Sequence, residues 1–251
     1  LGYAAQVQYH MNEGHAAFLA LALLERQTAG RGLQTPTEKD IEAVRTQCLF
    51  TTHTPIPAGH DQFPLELART VLGNERAAAL EAAQNCLDGS LNMTYLALRC
   101  SRYVNGVAMR HGEVSQDMFP AFPINAITNG VHALTWTSEP FRELYDRHIA
   151  GWRQDNLYLR YAMGLPLHEI ERAHAAAKRQ LLDDVERRAG VRLDATTLTL
   201  GFARRVTPYK RADLLFADLE RLRWIVRHVG PLQVIYAGKA HPRDEDGKAL
   251  I

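Results

Sequence analysis

The sequence predicts an α/β fold built on parallel sheet, and two stretches carry that expectation. After Gly190 the chain reads strand, helix, strand, over residues 197–203, 208–228 and Leu232 to Ala237, which is a βαβ unit and implies parallel pairing. Earlier, Cys48-Leu49-Phe50-Thr51-Thr52 is a short apolar run of the kind found in buried strands.

Taken in order, Glu13 to about Gln27 has the spacing of a largely buried helix, since Phe18, Leu19, Leu21, Leu23 and Leu24 leave little polar face. A loop with Gly30 and Gly32 follows. Thr37 and Asp40 form a capping-box-like start for a helix to about Thr46. The strand at Cys48 then feeds His53-Thr54-Pro55-Ile56-Pro57-Ala58-Gly59-His60-Asp61, a loop stiffened by two prolines and a glycine and suited to holding a ligand. Helices are predicted over Leu65 to Val71, Glu75 to Gln84 and Asn92 to Val104. Pro120, Pro123 and the Asn129-Gly130 turn precede a helical region from about Glu139 to Arg188.

The 251 residues, 46% apolar and 23% charged, suit one large or two modest globular domains. A net charge of +1 argues against a protein that coats nucleic acid or an anionic membrane, so any basic site is local. Cys48, Cys86 and Cys100 are odd in number and widely spaced, as in a reduced cytoplasmic protein. No apolar run is long enough to span a bilayer, and Leu1-Gly2-Tyr3 does not open a signal peptide. The start without Met, and a helix beginning at Gly247-Lys248-Ala249-Leu250-Ile251, create the expectation of a fragment.

The chemistry concentrates between Thr197 and Arg211. A buried strand is expected to run into Arg204 and Arg205, then into a helix with Thr207 as N-cap and Pro208 in its first position. That would gather Arg204, Arg205, Tyr209 and Lys210 at the positive end of a helix, an anion pocket suited to phosphate. A solvated helix start is the plain alternative for four cations in eight residues. The imidazoles of His10, His15, His53 and His60 raise a metal site, but neither pair has H-x-x-x-H spacing and no acidic cluster accompanies them, so no metal is expected. Nucleophile-elbow, Walker and Gly-x-Gly-x-x-Gly motifs are missing, as is a hydrolase-type carboxylate pair.

Four segments combine polar groups with Gly or Pro geometry: His10-Met11-Asn12-Glu13-Gly14-His15, Thr52-His53-Thr54-Pro55, Val104-Asn105-Gly106-Val107-Ala108 and Thr128-Asn129-Gly130-Val131. Together with Gly201-Phe202-Ala203-Arg204-Arg205 they resemble the α-glucan phosphorylases (glycogen, starch and maltodextrin phosphorylases) in their shorter bacterial and archaeal form, through essentially the whole chain. The resemblance implies a two-lobed, GT-B-like architecture with Rossmann-like parallel sheets, incomplete at both ends. Residues 1–127 would be the end of a glucan-binding lobe, and 128–251 the hinge and first part of a cofactor- and phosphate-binding lobe.

It further implies transfer of a terminal α-1,4-linked glucosyl unit to inorganic phosphate, giving α-glucose 1-phosphate with retention. His53 would touch the glucosyl unit at the cleavage point, Asn129 would bond its 6-hydroxyl and Val107 would pack against it. Arg205 and Lys210 would hold substrate phosphate, with Tyr209 near sugar and phosphate. Trp136 and Arg204 would neighbour pyridoxal 5'-phosphate, Arg204 standing where many relatives have Lys. The Schiff-base lysine of the family lies in a Ser-Gly-Thr-rich segment that does not occur before Ile251, so this piece alone is expected to be inactive. Implied partners are α-1,4-glucan or maltodextrin and phosphate, without nucleic acid or membrane; a homo-oligomeric full-length protein stays open. Two other classes stay open as well: a nucleotide-sugar-dependent glucosyltransferase of the glycogen/starch synthase type, and a non-catalytic carbohydrate- or nucleic-acid-binding module.

Overall fold

The computed structural model describes residues 8–30, 32, 36–54, 56, 60–83, 86–87 and 89–251. Leu1 to Tyr3, Gln84, and Pro55 with residues 57–59 of the stiff loop lie outside the described residues. The chain is α/β with parallel sheets and divides into two compact units, Leu1–Gly130 and Val131–Ile251.

The first unit runs β1 (Tyr9–Asn12), a 3-10 turn (Gly14–Ala16), α1 (Phe18–Gln27), α2 (Glu38–Arg45), β2 (Cys48–Thr51), β3 (Gln62–Pro64), α3 (Leu65–Leu72), α4 (Asn74–Ala82), β4 (Cys86–Leu87), β5 (Ser90–Asn92), α5 (Met93–Arg99), β6 (Tyr103–Gly106), α6 (Met109–Met118) and β7 (Asn125–Ala126). Its main sheet has the order β1-β2-β6-β7 and is parallel throughout. All four strands therefore deliver their carboxyl ends to one edge, the edge where α/β proteins place ligands. Met11, Phe50 and Val104 from the sheet meet Leu21 and Leu24 of α1, Ile41 and Val44 of α2, and Leu96 of α5 in one core.

Local chemistry explains several elements. The Thr37 hydroxyl and Asp40 carboxylate exchange bonds with each other's backbone N–H, so the capping box forms as the sequence implies. Cys48 and Cys100 are fully buried free thiols whose pKa burial pushes up to about 11 and about 12. The helix expected over Asn92 to Val104 stops at Arg99, and the β-forming pair Tyr103-Val104 opens β6 instead. Gly106 lets α6 press onto that strand: a Cβ there would run into His111 Nδ1 and sit 3.1 Å from the Gly112 nitrogen.

The second unit runs α7 (Ala133–Trp136), α8 (Glu139–His148), a 3-10 segment (Asn156–Gly164), α9 (Leu167–Ala189), β8 (Leu198–Ala203), two 3-10 turns (Pro208–Lys210 and Leu214–Phe216), α10 (Leu219–His228), β9 (Leu232–Ala237) and α11 (Glu245–Leu250). β8 and β9 pair in parallel from Leu198↔Leu232 to Ala203↔Ala237, the βαβ arrangement with α10 as crossover. A small core joins Leu144, Ile149, Trp152, Leu165 and Ala173.

Three local expectations fail here. The helical region expected over 139–188 is interrupted between His148 and Leu167, where Ile149 enters the core and Gly151 takes a positive φ of 81°. β8 is not a buried strand: its residues are exposed or half-buried, because among the described residues its sheet has only two strands. The helix expected from Pro208 is a three-residue 3-10 turn closed by Arg211 in the left-handed conformation, φ 51°. Thr207 makes no capping bond, and α10 starts only at Leu219, capped by Asp218, whose carboxylate accepts from the Arg221 N–H at 2.9 Å.

Candidate functional site

At the carboxyl edge of the first unit's sheet, Asn12, His53 and Val107 stand where β1, β2 and β6 end. His53 is exposed, and two residues hold it. Its ring Nε2 lies 2.6 Å from Asn12 Oδ1, and its backbone N–H donates to Glu13 Oε2 at 2.7 Å. The same carboxylate oxygen accepts from the Thr54 hydroxyl at 3.0 Å. Asn129 is exposed and tied to the same edge, its backbone N–H donating to the Val107 carbonyl at 3.0 Å. The structure thus brings His53, Val107 and Asn129 to one sheet edge; among the described residues, no hydrogen bond joins His53 to either of the others.

Two more histidines back this edge. His60 is buried, its Nδ1 2.8 Å from the Thr94 hydroxyl and its ring edge-on to Phe119. His111 on α6 receives the Val107 N–H at Nδ1, 3.4 Å away. Burial lowers the pKa of both; Glu13 opposes this at each, Asp61 opposes it at His60, and main-chain groups of His53 and Thr54 oppose it at His111. The fold therefore keeps His60 neutral, and as pH falls through the ordinary value of 6.5 the unfolded chain takes up that proton first. Stability should decline on acidification below that value. Urea unfolding from pH 7.5 to 5.5 checks this, and His60→Gln should flatten the decline.

In the second unit, the strap between β8 and the Pro208 turn carries the cations. Pairing outlasts the strands: Arg204 N–H donates to the Ala237 carbonyl and Val206 N–H to the Lys239 carbonyl, both at 3.1 Å. Arg204 and Arg205 are exposed, and Lys210 Nζ lies 4.6 Å from the centre of the Tyr209 ring. None of Arg204, Arg205, Lys210 and Arg211 has a carboxylate partner among the described residues; Arg221, Arg223 and Arg227 of α10 have none either, so what distinguishes the four is their clustering within eight residues. Uncompensated positive charge held on a main-chain ladder is a setting for an oxyanion. Its source is side chains, since a three-residue turn supplies no helix dipole.

Comparison with known proteins finds relatives that match nearly the whole chain. Maltodextrin phosphorylase of Thermococcus litoralis is 36% identical over 96% of this chain and 32% of its own length. Glycogen phosphorylase of Aquifex aeolicus is 35% identical over 97% of the chain and 40% of its own length; that of Mycobacterium tuberculosis is 34% identical over 97% and 33%. Over nearly its whole length the chain is similar to proteins named glycogen and maltodextrin phosphorylase. It spans a third to two fifths of the length of these relatives. No protein-family model matches it.

Trp136 closes α7 in the second unit and is 78% exposed; among the described residues, no hydrogen bond or ring contact joins it to the strap. The cofactor implied for the family needs an amine, a cation for its phosphate and an apolar flank. Arg204 is an exposed cation and Trp136 an exposed ring, and among the described residues no hydrogen bond or ring contact brings the two to one site. Of the lysines, Lys178 donates to the Thr197 carbonyl and Lys248 pairs with Glu245. Among the described residues no helix is long and apolar enough to cross a membrane, and no group of three or more His, Cys, Asp or Glu is placed to hold a metal. Sequence reasoning gave no role to Asn12, Glu13 or His111. Asn12 and Glu13 stood inside a recognised motif, but only the β1–β2 register brings them to His53.

Proposed function

We propose that the chain is the middle part of an α-1,4-glucan phosphorylase of two-lobed, GT-B-like architecture. Leu1–Gly130 supplies groups for the glucosyl unit, and Val131–Ile251 supplies groups for phosphate. The observation that carries this is the cluster of cations at Arg204, Arg205, Lys210 and Arg211, without carboxylate partners among the described residues, in a chain similar over nearly all its length to proteins named glycogen and maltodextrin phosphorylase.

In this proposal Arg205 and Lys210 hold inorganic phosphate, with Tyr209 beside it. His53 and Val107 contact the terminal glucosyl unit and Asn129 binds its 6-hydroxyl. The glycosidic C1–O bond breaks, the phosphate proton passes to the departing sugar oxygen, and a phosphate oxygen bonds C1 to give α-glucose 1-phosphate. Cations fixed before the reaction stabilise the dianion against an oxocarbenium-like sugar without reorganising. Arg204 would hold the phosphate of pyridoxal phosphate and Trp136 would flank it; when bound, that phosphate supplies a proton and charge partner.

In its full-length context, the protein given a malto-oligosaccharide should release glucose 1-phosphate in proportion to added phosphate. Free glucose released without phosphate, or glucan extension dependent on a nucleotide sugar, would overturn the proposal, the latter in favour of a synthase-type glucosyltransferase.

A further inference from the structure

Among the described residues of the first unit, one non-glycine residue has a positive φ, and it sits beside the candidate site. Glu13 has φ 73° and ψ 163°, a region that non-glycine residues almost never occupy. The residue after it is a glycine, so the chain had a residue without a Cβ next door and did not use it at this position. What the conformation achieves is visible in the side chain. Glu13 Oε1 accepts from the Gly14 N–H at 3.0 Å, while Oε2 accepts from the His53 N–H and the Thr54 hydroxyl. Its own N–H continues the ladder to the Thr51 carbonyl at 2.9 Å, and its carbonyl accepts from Ala16 at 3.1 Å. Every one of these bonds ties the end of β1 to the end of β2 or to the turn that follows it.

From this geometry we infer that Glu13 is a positioning residue for His53: its strained backbone aims a carboxylate at the His53 main chain and thereby fixes where the imidazole and carbonyl of His53 stand. Asn12 then needs to orient only the ring, through the 2.6 Å contact to Nε2. A carboxylate is the side chain suited to this task, because it accepts from three donors at once and each bond is charge-assisted. Glutamine keeps the length but turns one acceptor into a donor, leaving either Gly14 or the His53–Thr54 pair unserved. The functional importance of fixing His53 rests on the phosphorylase proposal above; the positioning itself does not.

Three variants separate aim from stability. In Glu13→Gln the His53 amide should exchange with solvent about ten- to a hundred-fold faster, as expected for a lost charge-assisted bond, and the His53 ring nitrogens should shift in nitrogen NMR, while the melting temperature changes little. Glu13→Ala and Glu13→Gly should loosen His53 equally, but Gly should melt above Ala, because only Gly relieves the backbone. Unchanged His53 protection in all three variants, or coincident melting of the Ala and Gly variants, would overturn the inference. In phosphorolysis by the full-length protein, Glu13→Gln should lower kcat more than it raises KM. If the unaltered protein shows no phosphorolysis, the functional proposal fails while the NMR result still decides the role of Glu13.

Discussion

Replacing Gly238 by alanine is expected to cost the second unit about 3 kcal/mol or more and to unseat the arginine strap. A Cβ at Gly238 would collide with the Arg204 carbonyl oxygen, and the residue's φ of 154° is itself outside the range of ordinary side chains. The obstacle is main chain that is bonded on both sides, through Arg204 to Ala237 and Val206 to Lys239, so it cannot swing aside as a side-chain tip would. Gly201 is the control. It lies in the same sheet with nothing within 4 Å of the place an alanine Cβ would take, so Gly201→Ala should be close to neutral. Denaturant unfolding of the two variants, with amide exchange at Arg204 and Val206, reads the difference. Equal stability of the two would mean that the strap does not approach Gly238 as described.

Loss of either substrate cation should be the largest functional effect. In the full-length protein Arg205→Ala or Lys210→Ala should lower kcat about 10²- to 10³-fold, the size seen when one preorganised charge-stabilising donor is removed. Neither group has a carboxylate partner among the described residues, so the melting temperature should hardly move. The double variant should lose less than the product of the single losses, since both groups act on one anion. Arg204→Lys should be far milder, because the charge survives. A full-length Arg205→Ala enzyme with undiminished phosphate dependence would remove Arg205 from the site.

Much of the fold could be read from residues whose chemistry is local. Thr37 and Asp40 specify their own cap, and the apolar runs at Cys48 and Leu232 specify strands that pair in parallel. The failures share a cause in long-range context. Tyr103-Val104 extends a helical pattern on paper, yet pairing with Leu49 and Phe50 draws it into β6. At Pro208 a good helix start was in place, but Arg211 adopts a left-handed conformation that no feature of its own side chain announces. As for the candidate site, its cations and His53 were legible because they are chemically conspicuous. Glu13 was not, because a carboxylate forty residues distant from His53 gains a role only through strand register.

The ladder that continues past Ala203 has a consequence for how this region tolerates change. Two guanidinium groups are spaced by amide-to-carbonyl stitches onto β9 and the residues just past it, and the long excursion from Phe216 to Leu232 contributes none of those stitches. Lengthening or re-sequencing that excursion should therefore leave the spacing of the charges untouched, so variation among relatives can accumulate there without detuning the grip on an anion.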